Sequence, residues 1–182
     1  MKRRLVPLVL LALVGLGAGC GDALRNTIQP TCTGDPGIAS LGLSAQAVPT
    51  AELVPCISSY PSGWSFSNFD ARNGRARFLL NNDRAGFDSV KVTLTERCSL
   101  AGATEIPSDE LGTRRYERID RVKGGLAGAR IYTFTGGCAV YDIKLPANGS
   151  ALVNEISVAL GFKERTDVAK EVLRLSKGDE KL

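Results

Sequence analysis

RARFLLNNDRAGFDSVKVTLT, residues 75–95, alternates apolar and polar side chains twice, with a turn between the two runs. Ala76, Phe78 and Leu80 share one face of an extended chain, opposite Arg75, Arg77 and Leu79. Val90, Val92 and Leu94 repeat the pattern against Ser89, Lys91, Thr93 and Thr95. A period of two belongs to a β-strand with one buried and one wet face. Asn81-Asn82-Asp83 and Gly86 carry the residue types that turns require. The segment therefore predicts an antiparallel hairpin with a longer loop, in a sheet covered on one side.

Upstream, Trp64, Phe66 and Phe69 begin the sheet, with Trp64 read as a core aromatic. Pro55 suits the first turn of a short helix carrying Cys56, Ile57 and Tyr60, which Pro61-Ser62-Gly63 would end. Downstream, residues 105–113 read as a loop and Arg114 to Val122 as an extended, highly charged segment. ARIYTF (129–134) and CAVYDIKL (138–145) are further strands, joined by Thr135-Gly136-Gly137, a turn demanding positive φ. In the second of these, Tyr141, Ile143 and Leu145 face one way and Cys138, Val140 and Asp142 the other.

After Pro146 the period changes. Asn148 or Ser150 can cap a helix in which Leu152, Ile156, Ala159 and Leu160 follow helical spacing, ended by Gly161. Thr166 caps a second helix with Val168, Val172 and Leu175 on one face, stopped by Gly178. Strands followed by two helices predict an α+β fold, an antiparallel sheet with two C-terminal helices packed on it. Residues 44–178 form this domain, 179–182 a charged tail, and 20–43 a polar tether that becomes ordered near Cys32.

Residues 1–19 read as a signal peptide. Lys2, Arg3 and Arg4 precede an apolar run of 14 residues, 5–18, too short for the ~20 residues of a membrane-spanning helix. The run ends in LVGLGAGCGD (13–22), which resembles a bacterial lipobox, although Gly17 stands where an aliphatic residue is usual. That resemblance implies cleavage before Cys20 and attachment of acyl chains to it, leaving the domain anchored to a membrane. Without Cys20 the remaining cysteines, Cys32, Cys56, Cys98 and Cys138, form an even set, as expected of disulfides in an exported chain. Of the three pairings possible, Cys32–Cys56 with Cys98–Cys138 is favoured because each closes a local unit.

Composition removes several functions. The formal charge of +4 includes Lys2, Arg3 and Arg4, so the mature chain is near +1 and implies no nucleic-acid partner. Histidine is absent, which excludes Ser-His or Cys-His catalysis and His-ligated metal. The cysteines lack the close spacing of a zinc or redox site, and no phosphate-binding glycine loop is present, so no metal and no cofactor is expected. The chain reads as a non-enzyme.

Two clusters remain. Arg114, Arg115, Arg118 and Arg121, with Tyr116 among them, could grip an anionic envelope polymer or a membrane protein, since guanidinium forks match phosphate and carboxylate. The plainer account is a charged edge strand. Asp109, Glu110, Glu117 and Asp120 could supply the carboxylate pair of a hydrolase, or be members of a surface ion-pair ladder.

LVPCISSYPSGWSF, DRAG, IPSDELGTRRYERI, YTFTGGCAVYDI and ALGFKER, spread over about residues 47–175, together resemble a group of exported lipoproteins of actinobacteria. The resemblance implies an envelope-facing, membrane-anchored domain and brings no catalytic residues. The expected function is therefore that of a binding or interaction module on the extracytoplasmic side of the membrane. A carboxylate hydrolase and a sensor-input domain for a membrane signalling partner are the alternatives.

Overall fold

The structure is a computed structural model that describes residues 29–122, 124–147 and 149–179. The expected signal peptide, Cys20, the first part of the tether, Asn148 and the end of the charged tail lie outside the described residues. In chain order the elements are α1 (Asp35–Ala47), β1 (Leu53–Ile57), β2 (Trp64–Arg72), β3 (Arg75–Asn82), β4 (Gly86–Thr95), β5 (Thr104–Ile106), β6 (Arg114–Val122), β7 (Gly125–Phe134), β8 (Gly137–Pro146), α2 (Ser150–Ala159), β9 (Leu160–Glu164) and α3 (Arg165–Asp179). Seven strands form one antiparallel sheet in the order β2-β3-β4-β8-β7-β6-β5, and β1 pairs with β9 as a separate ribbon. The α+β class and the antiparallel sheet are as expected. The sheet is larger than expected, with β5 and the β1–β9 ribbon unforeseen.

The register carries the alternation from strand to strand. Phe78 lies opposite Val92 and Leu80 opposite Val90; Val90 and Val92 in turn face Ile143 and Tyr141 across β8. These side chains form a continuous apolar face, covered by Leu152, Ile156 and Ala159 of α2 and Leu160 of β9. Burying each large aliphatic side chain there stabilises by about 1.5–3 kcal/mol. On the opposite face a smaller cluster of Tyr116, Ala129 and Ile131 packs with Cys98, Ala103 and Val140.

Four local expectations are corrected. The segment read as a helix at Pro55 is strand β1, with Pro55 opposite Phe162. Ile57 turns its N–H away from β9, toward the Pro30 carbonyl, 2.7 Å away. Pro55, two residues earlier, therefore has its nitrogen on that outer edge, where a missing N–H removes no ladder bond. The tether expected over 20–43 is folded in its second half as helix α1, whose Ile38 and Leu41 are buried against Val54 of β1 and Val168 of α3. Glycines 37 and 42 weaken helix propensity, but Gly42 faces Val172 of α3 where a side chain would crowd, so packing overrides propensity. The second C-terminal helix, α3, shares a core with α1 and the ribbon instead of lying on the sheet, which α2 covers and the end of α1 meets through Ala47 against Ala76 and Leu94. Finally, the chain leaves α2 directly into β9 at Leu160, before Gly161.

Both expected disulfides form. Cys32–Cys56 joins the chain ahead of α1 to the ribbon, with Cα atoms 5.0 Å apart. Cys98–Cys138 joins the loop after β4 to the start of β8, with Cα atoms 6.1 Å apart. All four cysteines of the described residues are thus used, the state of a chain that matures in an oxidising, extracytoplasmic compartment. Among the described residues no helix is long and apolar enough to cross a membrane.

Two outcomes are expected in urea denaturation. Leu80→Ala, at a fully buried position of β3, lowers stability by about 2–5 kcal/mol. Replacing either disulfide pair with alanines lowers it by about 3–4 kcal/mol, slightly more for the longer Cys98–Cys138 loop.

Candidate functional site

Strand alternation splits the charged segment of β6 between the two faces of the sheet. Arg114, Tyr116, Arg118 and Asp120 fall on one face, Arg115, Glu117 and Ile119 on the other. Arg121 continues the strand opposite Leu126. On the first face Arg114 makes a two-pronged contact with Glu105 (Nε–Oε1 2.9 Å, Nη2–Oε2 2.7 Å) and lies 5.6 Å from the Tyr116 ring centre. Arg118 Nε donates to Asp120 Oδ2 at 3.1 Å. Arg114, Arg115 and Arg118 each have a carboxylate partner within the chain, and the expected anion-binding set does not form one patch.

The opposite face holds a different assembly. Glu117 lies directly across from Arg130 of β7, and Arg115 directly across from Tyr132. Glu117 Oε1 accepts from Arg115 Nη2 at 2.7 Å and from Arg130 Nε at 2.9 Å. The second prong of Arg115, Nη1, reaches Asp109 Oδ2 at 2.8 Å, and Asp109 Oδ1 accepts the Tyr132 hydroxyl at 2.9 Å. Arg130 Nη1 donates to Ser157 Oγ of α2 at 2.7 Å. Arg115 and Arg130 keep only 16 % and 11 % of their side chains in solvent. This network closes the edge of the main core where α2 no longer covers the sheet.

The network also fixes the 107–113 loop. Asp109 is held by Arg115 and Tyr132, and Glu110 reaches toward Gly161 of β9, whose missing side chain leaves room for the carboxylate. Beneath the loop the Tyr132, Tyr141, Phe134 and Phe162 rings pack edge-on or stacked, with centroids 5.2–6.2 Å apart. The Tyr141 hydroxyl is buried there with no hydrogen-bond partner among the described residues.

The carboxyls diverge in acidity. Burial pushes the Asp109 pKa up, but the Tyr132 hydroxyl, its own backbone N–H and Arg115 outweigh it and leave the group below its ordinary value. Glu117 is likewise raised by burial and lowered further by Arg115 and Arg130. Among the described residues Glu110 has no cation partner. Burial, and then the Asp109 charge, hold its pKa above the ordinary value.

Of the four expected carboxylates, Asp109 and Glu117 thus meet at Arg115 and Glu110 lies beside Asp109 in the loop, while Asp120 points to the other face. Arg130, Tyr132, Tyr141 and Ser157 were missed. Arg130 had a signal, because it stands in phase with Tyr132 on an otherwise apolar strand and so had to meet an acid. Trp64 is in the core as expected, its indole N–H donating to Glu155 Oε2 at 3.3 Å. Gly136 has φ 71° and packs on the Thr50 carbonyl so closely that no β-carbon fits. Its role is therefore in turn and packing. Among the described residues no group of His, Cys, Asp and Glu side chains suits a metal ion.

A cavity of about 410 Å³ opens on the far side of the loop. Leu111, Leu53 and Phe134 line it together with Glu52, Glu164 and Arg165. Size and mixed lining suit a small-molecule or side-chain site. Arg165 is also structural, donating to the carbonyls of Ala45 and Val48.

The chain matches no family model and no curated protein. A crystal structure from Bacteroides thetaiotaomicron VPI-5482 aligns at 15% identity with a TM-score of 0.33. The alignment covers 62% of this chain and 46% of that one, so the chain spans less than half of that neighbour's length.

The faces of β6 make distinct predictions. Arg115→Met takes one charged partner from each of Asp109 and Glu117 and lowers stability at neutral pH by about 1–3 kcal/mol, whereas Arg114→Met, at a largely exposed position, leaves it unchanged. Since Asp109 and Glu117 have lowered pKa values in the fold, their contribution is present above the unfolded carboxylate range and lost as the pH falls through the folded values. The Arg115→Met deficit therefore shrinks in acid. Glu110 has the opposite sign: its raised pKa makes ionisation cost stability as the pH rises, so Glu110→Gln is more stable than the parent at neutral pH and equal to it in acid. Urea titrations at the two pH values check both.

Proposed function

We propose that the chain is a lipoprotein of the bacterial envelope, anchored by acyl chains on Cys20, whose domain works outside the cytoplasm as a binding module. One observation carries the anchor: Cys32, Cys56, Cys98 and Cys138 pair among themselves. Cys20 is then the one cysteine without a partner in the chain, directly after a signal-like apolar run. A lipobox cysteine acquires more than one acyl chain, and two or more chains hold a protein stably where one binds reversibly. The likeness to exported actinobacterial lipoproteins supports the same reading.

The cavity on the far side of the 107–113 loop is the ligand site of this module. Its lining combines apolar and charged side chains, and the loop that forms one side is clamped at Asp109 by Arg115 and Tyr132. A site held in shape before its ligand arrives loses less ordering entropy on binding.

A second reading has an observation of its own. Glu110 and Asp109 are neighbours whose environments push their pKa values apart, the pattern of a carboxylate acid and its ionised partner in a hydrolase. Single substitutions of Asp109, Glu110 and Glu117 that abolished hydrolysis of an envelope polymer would favour it.

Intact mass without reductant, on the full chain extracted from membranes beside Cys20→Ala, tests the anchor. The expected product starts at residue 20, carries acyl mass and lacks the four hydrogens of two disulfides, while Cys20→Ala gains no acyl mass. A soluble, unacylated chain cut elsewhere overturns the reading.

A further inference from the structure

The strands of the large sheet end at two opposite poles, about 30 Å apart for a ten-residue strand. One pole gathers the start of β2, the β3–β4 turn, the β6–β7 turn and the end of β8; the other carries the 107–113 loop with Leu111. The chain enters the described fold at the first pole. Gln29 shares a cavity with Trp64 and Ser65 at the start of β2 and Asn81 near the end of β3. Asn81 Oδ1 in turn accepts the backbone N–H of Asp88 at 2.9 Å, in the bulge that extends the β3–β4 turn into the start of β4.

That turn is held in an unusual way. Asp88, φ 52°, is the only non-glycine residue with positive φ among the described residues, and its Oδ1 accepts the Ser67 hydroxyl at 3.4 Å. The residue before it is Phe87, 89 % exposed. A backbone strained away from its ordinary region is evidence of a constraint on what the turn presents, and here it presents an aromatic ring to solvent. Close by, Arg84 is paired with Glu155 at 2.6 Å.

The length of chain ahead of the fold supplies the partner. Nine residue steps separate Cys20 from Gln29, at most roughly 30 Å fully extended. An acylated Cys20 therefore keeps Gln29, at the pole that bears Phe87, within that distance of a bilayer, while Leu111 stands at the opposite end of the sheet. Such a tether gives the ring a high effective concentration at the membrane surface, so even the weak interfacial preference of one aromatic side chain orients the domain.

We infer that the β3–β4 turn is a membrane-contacting element, with Phe87 seated in the bilayer interface and the 107–113 loop and its cavity turned outward. The inference rests on the acylation of Cys20 proposed above. The test uses the full acylated chain in vesicles of phosphatidylcholine and phosphatidylglycerol with brominated acyl chains. Tryptophan is introduced as Phe87→Trp or Leu111→Trp, and the signal of the buried Trp64 is subtracted. The expected result is about twofold quenching with a blue shift for Phe87→Trp, and unchanged emission for Leu111→Trp. Quenching at 111, or at neither position, overturns the inference. Intact mass of the same sample separates the two claims: without acyl mass the anchor fails and the orientation with it, whereas an acylated chain unquenched at position 87 fails on orientation alone.

Discussion

The pairing of β4 with β8 is the contact on which the rest depends. It joins Val90 to Ile143 and Thr95 to Cys138 across more than forty residues of chain, and unites two sets of strands that would otherwise be separate meanders. Closing so long a loop costs entropy before any contact rewards it. The return is a single apolar face running from Phe78 through Val92 and Tyr141 to Tyr132, wide enough for α2 to bury. The Cys98–Cys138 bridge lies at the end of this pairing and holds the loop closed covalently.

The β1–β9 ribbon follows from the same geometry. α2 covers only part of the face, and the chain leaves it as β9 to bring Leu160 and Phe162 over the tyrosines of β7 and β8. The ribbon's other side needs its own cover, which α1 and α3 supply through Ile38, Leu41 and Val168. Toward β6 the apolar cover ends, and the ion pairs of Arg115, Glu117 and Arg130 take its place. Charges at this depth are tolerable because each arginine fork meets at least one fixed acceptor. The 107–113 loop gains its position from that network, so the electrostatics at the core edge and the shape of the adjacent cavity are one arrangement.

Much of the sheet is legible in the residues. RARFLL and SVKVTLT pair as a hairpin, CAVYDIKL faces inward at Tyr141, Ile143 and Leu145, and Leu152, Ile156 and Ala159 mark α2. The errors have specific causes. α1 is rich in glycine and serine, residues that usually break helices, and it is helical because close packing on α3 rewards small side chains. β1 carries a proline, acceptable only because its nitrogen faces an outer edge. β5 has three residues, too few for any period to be read. The site was half legible: Asp109, Glu110, Arg115 and Glu117 stood out as charges, while their partners Tyr132, Arg130 and Ser157 come from strands and a helix distant in sequence.

By itself the sequence determined the long strands of the large sheet, which four cysteines form an even set and which chemistries a chain without histidine lacks, since these depend on side-chain period and residue type. Tertiary structure alone decided that neighbouring arginines do different work. Alternation sends Arg114 into solvent and Arg115 to the core edge, but only the approach of β7, α2 and the 107–113 loop gives Arg115 its two carboxylates and Glu110 its lack of a cation. Local pattern sets the direction a side chain takes from the strand. What it meets there depends on segments brought together from far along the chain.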